Sequence, residues 1–236
     1  MDNGTNVSPA TDQGENTIPL KKALVILGVV AAVLLAAGLA VGYGFFWGKH
    51  PAQSYEDIVL EAAQHRVKTN PKDAIAHVEL GHAYLLRQGE DKAFVGKALK
   101  EFEKAYELEP KNRQVRYNLA LGYIAAGKYR EAIRLLEPLA KEGILDFGSH
   151  FSLGEAYYLN KQYPEAVKAF SEAAAIRPGY ADTYYYMGLT YEKMGDKENA
   201  VAAVEKALRL VPNYKEALEL KARLTQEPAG GEKREP

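Results

Sequence analysis

The residues able to do chemistry in this sequence are few and poorly placed for it. There is no cysteine among 236 residues, which excludes disulfides, thiol nucleophiles, covalent haem attachment and thiolate zinc sites. The histidines are His50, His65, His77, His82 and His150. His77 and His82 are five apart, which sets them about 140° apart around a helix and not on one face. Joint metal ligation is therefore not expected. Asp91 to Ala98 closes with Gly96-Lys97, the ending of a phosphate-binding loop. Yet Asp91 stands where that motif needs its first Gly, and Ala98 where it needs Ser or Thr. Glu101, Glu103, Glu107 and Glu109 follow the polar face of a helical pattern, where charge is normally solvated. With no nucleophile, metal set or cofactor loop, the expectation is a protein that is not an enzyme and takes no cofactor and no metal. Net charge is −1, from 30 basic and 31 acidic residues, so nothing points to a nucleic-acid surface.

What the chain does carry is a repeat. Leu153-Gly154 answers to Met187-Gly188, Tyr157 to Tyr191, Ala166 to Ala200, Ala173 to Ala207 and Pro178 to Pro212, each pair 34 residues apart. One period upstream stand Leu119-Ala120, Tyr123 and Ala132. Before them come Leu80-Gly81, Tyr84, Ala98, Phe102, Ala105 and Pro110, with five extra residues between Tyr84 and Ala98. Such a period means stacked units that each bury their apolar face against the next. Each unit reads as two antiparallel helices. Small residues (Gly81, Gly154, Gly188, Ala166, Ala200) sit where backbones approach, and large ones (Leu80, Leu119, Phe102, Phe170) fill the seam. The predicted pairs are Ala74–Arg87 with Lys92–Leu108, Arg113–Ala126 with Tyr129–Lys141, Phe147–Asn160 with Pro164–Ile176, and Ala181–Met194 with Lys197–Leu210. Turn chemistry separates the helices at Gly89, Gly127-Lys128, Lys161-Gln162 and Gly195-Asp196. The inserted residues between Gln88 and Lys97 fit either a longer second helix or a protruding loop.

Spacing and residue type over four units resemble the tetratricopeptide repeat family, with units at 74–112, 113–146, 147–180 and 181–212. The second unit departs from the pattern. Leu139 stands where a small residue is usual, Ile144 where Pro is usual, and Pro138 falls inside the second helix, so a bend and altered stacking onto the third unit are expected.

The resemblance implies that the first helix of each unit lines a concave groove. In this register Val78, Tyr117, Phe151 and Tyr185 form one row. His82, Leu121, Glu155 and Leu189 form a second, and Leu85, Ile124, Tyr158 and Glu192 a third, with Asn118 and Lys193 adding polar contacts. Such a trough suits an amphipathic helix or an extended apolar peptide of a protein partner. Repeats of this family that clamp a C-terminal carboxylate use Lys, Asn and Arg here. Only Asn118 fits, and Val78, His82, Gly148 and Ser152 do not, so an acidic tail is not the expected ligand.

The flanks add a second signal. Residues 1–20 form a polar tail, expected to be disordered and cytoplasmic. Residues 21–48 read as a transmembrane helix: Ala23 to Trp47 holds no charge, and spans ~37 Å as a helix against a bilayer core of ~30 Å. Lys21-Lys22 precede it and Tyr43, Phe45, Phe46 and Trp47 end it, as interfacial aromatics do. A cleaved signal peptide is the alternative, with Ala40-Val41-Gly42 as the small-x-small site, but the apolar run is longer than such a leader needs. The lysine pair places the N-terminus in the cytoplasm and the repeats outside the cell membrane. Gly38 and Gly42 form a small-xxx-small pair that would let two such helices pair.

Residues 49–73 give a linker and a packing helix whose stripe is Ile58, Val59, Ala62, Ala63 and Val67. Residues 213–226 give a capping helix with Ala217, Leu220 and Leu224 inward, and 227–236 a disordered tail. The expected fold is all-α: a transmembrane helix followed by an α-solenoid of about four repeat pairs with capping helices. The expected function is a non-catalytic, membrane-anchored scaffold assisting a membrane or envelope complex. Anchored proteins of this layout assist cytochrome c maturation, export or pilus assembly. The alternative is a self-associating structural envelope protein, a homo-oligomer.

Overall fold

The computed structural model describes residues 54–89, 91–142 and 146–226. The polar tail, the apolar stretch with Gly38 and Gly42, the linker to Gln53, Ile144 and the final tail lie outside the described residues. Ten helices form: α1 (Tyr55–Thr69), α2 (Ala74–Leu86), α3 (Ala93–Leu108), α4 (Arg113–Ala125), α5 (Tyr129–Glu142), α6 (Phe147–Leu159), α7 (Tyr163–Ile176), α8 (Ala181–Met194), α9 (Lys197–Leu210) and α10 (Lys215–Thr225). Among the described residues, no helix is long and apolar enough to cross a membrane.

Local chemistry sets the helix ends. Asp73 accepts hydrogen bonds from the N–H groups of Ile75 (2.9 Å) and Ala76 (3.3 Å) at the start of α2. Asn112 does the same for Gln114 (3.0 Å) and Val115 (3.3 Å) at α4, and Asp196 for Asn199 (3.1 Å) at α9. These caps satisfy N–H groups that no helical carbonyl can reach. Between the helices of the second, third and fourth pairs the chain turns through a left-handed residue: Gly127 (φ 73°), Lys161 (φ 63°) and Gly195 (φ 77°). Two of the three are the residue type that adopts this conformation without a steric penalty.

Glycines set the distance between paired helices. A Cβ on Gly154 would stand 2.6 Å from the Phe170 ring, and one on Gly188 would stand 2.5 Å from Val204. Phe102 is shared: a Cβ on Gly81 or on Gly122 would each stand 2.5 Å from its ring. Phe102 and Phe170 are fully buried.

The five extra residues of the first pair divide between both expected places. Helix α3 has 16 residues where α5, α7 and α9 have 14, and the connection before it takes the rest. Phe94 pins this insertion, with its ring 6.1 Å from that of Tyr84 and the Arg87 guanidinium 5.1 Å above it.

One expectation needs correction. Helix α1 does pack on the first pair, but through Leu60 and Ala63 against Leu80 and Ala83, with Val59 and Val67 beside them. Ile58 is 53% exposed and Ala62 is exposed, so the buried stripe is rotated toward Leu60. Helix α5 runs unbroken through Pro138, whose ring is exposed. At its junction with the third pair lies a cleft of about 730 Å³ between α5, α6 and α7, over Ala140, Leu153 and Ala169. Leu139 is fully buried in the cluster that joins the second and third pairs. Two arginines of α4 reach across this junction. Arg113 donates to the Leu139 carbonyl (2.8 Å) and to Asp146 (2.6 Å), and Arg116 donates to Glu142 (2.6 Å).

Candidate functional site

The direction of curvature follows from which helices meet. Along the stack, the backbones of α2, α4, α6, α8 and α10 each come close to the next of their kind, while among the described residues no such close backbone approach joins any two of α1, α3, α5, α7 and α9. The stack therefore closes on the side of the first helices, and that side is the concave one.

The predicted rows lie on these helices, with two differences in accessibility. Val78 is 3% exposed and packs with Leu99, Phe102 and Leu119, so it belongs to the core and offers no open surface. Asn118 is 5% exposed. Its amide donates to the Gln114 carbonyl (2.8 Å), and its oxygen lies 2.5 Å from His82 Nε2. It joins α2 to α4 and is a structural bridge. His82 is exposed, its ring edge-on to Phe102 at 5.3 Å. Leu85, Tyr117, Leu121, Ile124, Phe151, Glu155, Tyr158, Tyr185, Leu189 and Glu192 are all half-buried, in contact with the protein on one side and open on the other. Tyr117 Oη lies 3.1 Å from Ser152 Oγ, linking the first helices of the second and third pairs.

The middle of the groove is aromatic. Phe151 meets Phe147 (5.6 Å), Tyr180 (5.6 Å) and Tyr186 (5.6 Å). Tyr186 also meets Tyr158 (6.5 Å), Tyr185 (5.6 Å) and the buried Phe170 (5.7 Å). Tyr185 in turn lies 5.2 Å from Tyr214, the residue before α10. Ring contacts of this kind add stability beyond the area they bury. Tyr186 was missed by the sequence rows although its signal was present. It occupies in the fourth unit the register position that Asn118 holds in the second. Phe147, Tyr180 and Tyr214 stand at helix starts and not on the predicted stripes, although Tyr180 and Tyr214 are one 34-residue period apart and so did carry a repeat signal.

The charges of this side are mostly neutralised. Arg66 pairs with both Glu79 and Asp73, and Arg223 donates to Glu192 at 2.7 and 3.0 Å, holding that carboxyl below its ordinary range. Glu155 is the exception: burial alone holds its carboxyl above the ordinary glutamate range. The Tyr186 hydroxyl is pushed up to about 12, first by burial and next by the Glu155 charge. His77, by contrast, is buried, with Nδ1 2.7 Å from Glu101 and Nε2 3.1 Å from the Pro71 carbonyl, and it ties α2 to α3. Among the described residues, no three of His, Cys, Asp or Glu are grouped as metal ligands.

Residues 117–181 match the tetratricopeptide repeat model, and residues 158–227 match that of regulator of microtubule dynamics protein 1-3. Similar curated proteins include two that match most of the repeat region. One is the BBSome complex member BBS4 homolog of Drosophila melanogaster, 25% identical over 155 residues, which are 66% of this chain and 30% of that protein. The other is the peroxisomal targeting signal receptor of Eremothecium gossypii, 24% identical over 157 residues, 66% of this chain and 26% of that protein. The chain thus spans less than a third of the length of either. Among solved structures, YrrB, described as a TPR protein with an unusual peptide-binding site, superposes with a TM-score of 0.58 at 23% identity, covering 69% of this chain and 81% of that one. MamA from Desulfovibrio magneticus RS-1 gives a TM-score of 0.58 at 19% identity, covering 68% and 88%. The structural likenesses establish the fold, an all-α tetratricopeptide-repeat solenoid, and the matched repeat model supports the same reading of the sequence.

Proposed function

We propose that this chain is a non-catalytic scaffold that holds a peptide or amphipathic helix of a protein partner in the groove formed by α2, α4, α6 and α8. One observation carries this reading. Apart from Val78, His82 and the two glutamates, the groove rows are half-buried apolar and aromatic side chains, open on one side and fixed from behind by the seam. Rigid aromatic anchors at the centre of a concave surface are the groups that carry most of the energy in protein interfaces. They are supplied here on helices and not on loops. The similar proteins fit this kind of role. One is described as a member of a complex, another as a receptor for a targeting signal, and a solved neighbour as having a peptide-binding site.

The finer reading rests on the sequence. Ala23 to Trp47, uncharged and closed by aromatics, anchors the chain in the cell membrane as a single pass. Lys21-Lys22 keep the N-terminus cytoplasmic and the repeats outside it. A groove tethered beside a bilayer suits the gathering of subunits of a membrane or envelope complex.

The test is affinity purification of the full chain from detergent-solubilised membranes, followed by mass spectrometry, for wild type and for Tyr117→Ala with Tyr185→Ala. A defined set of proteins lost from the double variant is expected. An unchanged set overturns the groove reading. Protease accessibility of the repeats in intact cells with a permeabilised envelope tests the orientation, and protection of the repeats by the cytoplasm overturns it.

A further inference from the structure

Glu155 sits at the midpoint of the groove, on the first helix of the third unit. Phe151 precedes it by four residues and Tyr158 follows it by three, which places both rings on its own helix face, one turn to either side. The third ring comes from the neighbouring unit. Tyr186 stands edge-on to both, at 87° and 5.6 Å from Phe151 and at 78° and 6.5 Å from Tyr158, and the Glu155 charge acts on its hydroxyl. On this helix face the Glu155 carboxylate has no hydrogen bond and no ion pair among the described residues, and nothing offsets the effect of burial on it. Two other acids of this side are engaged: Glu79 by Arg66 and Glu192 by Arg223. Arg66 and Arg223 are therefore committed, and neither compensates Glu155.

A half-desolvated carboxylate without a partner is unfavourable in the free protein, and the cost is relieved when a cation arrives. Neighbouring aromatic rings add to that preference, because a ring quadrupole attracts a cation over its face. An apolar ligand side chain would leave the carboxylate buried deeper and still unpaired, and an acidic one would be repelled. Charge complementarity thus selects one class of occupant.

We infer that Glu155, flanked by Phe151, Tyr158 and Tyr186, receives one cationic side chain, a lysine or an arginine, of the peptide that occupies the groove. This deepens the groove-binding reading above and rests on it. The recognised segment is then an apolar stretch interrupted by a single basic residue. Its apolar side chains lie on Tyr117, Leu121, Tyr185 and Leu189, and its basic one enters between units three and four.

The experiment is selection of a random-peptide phage library on the full chain in detergent micelles, followed by calorimetric titration of synthetic peptides taken from the winners. Wild type, Glu155→Gln and Tyr185→Ala are compared, with circular dichroism verifying that each variant is folded. Enrichment of lysine or arginine at one position of the selected peptides is expected. Loss of about tenfold in affinity, close to 1.4 kcal/mol, is expected both for Glu155→Gln and for replacement of that basic residue by norleucine. The two losses should not add, since each removes the same contact. Peptides that bind in a Tyr185-dependent manner with no basic preference, and indifferently to Glu155→Gln, would overturn the inference while leaving the groove reading intact. Failure to select any Tyr185-dependent peptide would overturn both.

Discussion

The Phe170 ring fills the space in which residue 154 would carry a side chain: a Cβ on Gly154 would stand 2.6 Å from Phe170 Cδ1. Two effects compete in Gly154→Ala. Helix propensity favours alanine by about 1 kcal/mol, whereas overfilling a close-packed seam costs typically 1–3 kcal/mol. Phe170 is fully buried and cannot swing aside, so overfilling wins. The expected result is a net loss of up to ~2 kcal/mol in urea denaturation. A gain in stability would show that the helices of the third pair are free to separate.

Leu139 presents the reverse case, a large residue where the repeat normally holds a small one. It is fully buried with Leu136, Leu153 and Ala156. Replacing it by the residue type usual in this family, Leu139→Ala, should therefore destabilise by about 2–5 kcal/mol, as cavity-forming substitutions do. If the variant matched wild type in thermal unfolding, Leu139 would be an interloper that the junction tolerates.

Lys161 holds φ at 63°, the conformation that Gly127 and Gly195 supply at the same place in the units on either side. A β-carbon makes this conformation costly by roughly 1–2 kcal/mol, while glycine adds unfolded-state freedom worth ~0.4–1 kcal/mol. Lys161→Gly should consequently raise stability by a few tenths to about 1 kcal/mol. A drop in the denaturation midpoint would contradict it.

Glu155 makes stability depend on pH in a stated direction. Burial raises its carboxyl in the folded protein, so the native state keeps this proton at pH values where the unfolded chain has released it. Stability from this group is fully present below the ordinary glutamate range. It declines as pH rises toward the raised value, and stays lower above that value. Glu155→Gln should melt higher than wild type at neutral pH, with the difference closing as pH falls below the ordinary glutamate range. Melting curves for the two proteins that remain parallel across that range would exclude it.

The helix pairs were legible in the sequence because one signal repeats. Leu80-Gly81, Leu153-Gly154 and Met187-Gly188 mark the same close approach, and the observed helices fall within a residue or two of the predicted ones. Legibility ended where the signal occurs once. Helix α1 has no copy to align with, and its stripe was placed on Ile58 although Leu60 is what it buries. The insertion before Ala98 had no register, and only Phe94 against Tyr84 shows how it is held. In the groove, register located the rows but not their depth. Val78 and Asn118 sit where Tyr117 and Ser152 sit in neighbouring units, yet the first is drawn into the core around Phe102, and the second is consumed by His82 and the Gln114 carbonyl. The isolation of Glu155 could not be read from its row, since it depends on which arginines are already occupied.

Phe102 belongs to one unit but is seated in the backbone notches of two, Gly81 on α2 and Gly122 on α4. Neither notch can open without stranding the same ring in water. The front of the solenoid is thus latched: hydrogen exchange should show α2 and α4 opening together as one block, at a single free energy, and a smaller residue at 102 should let them exchange independently. Pulled from its ends, the molecule would surrender that block in one step.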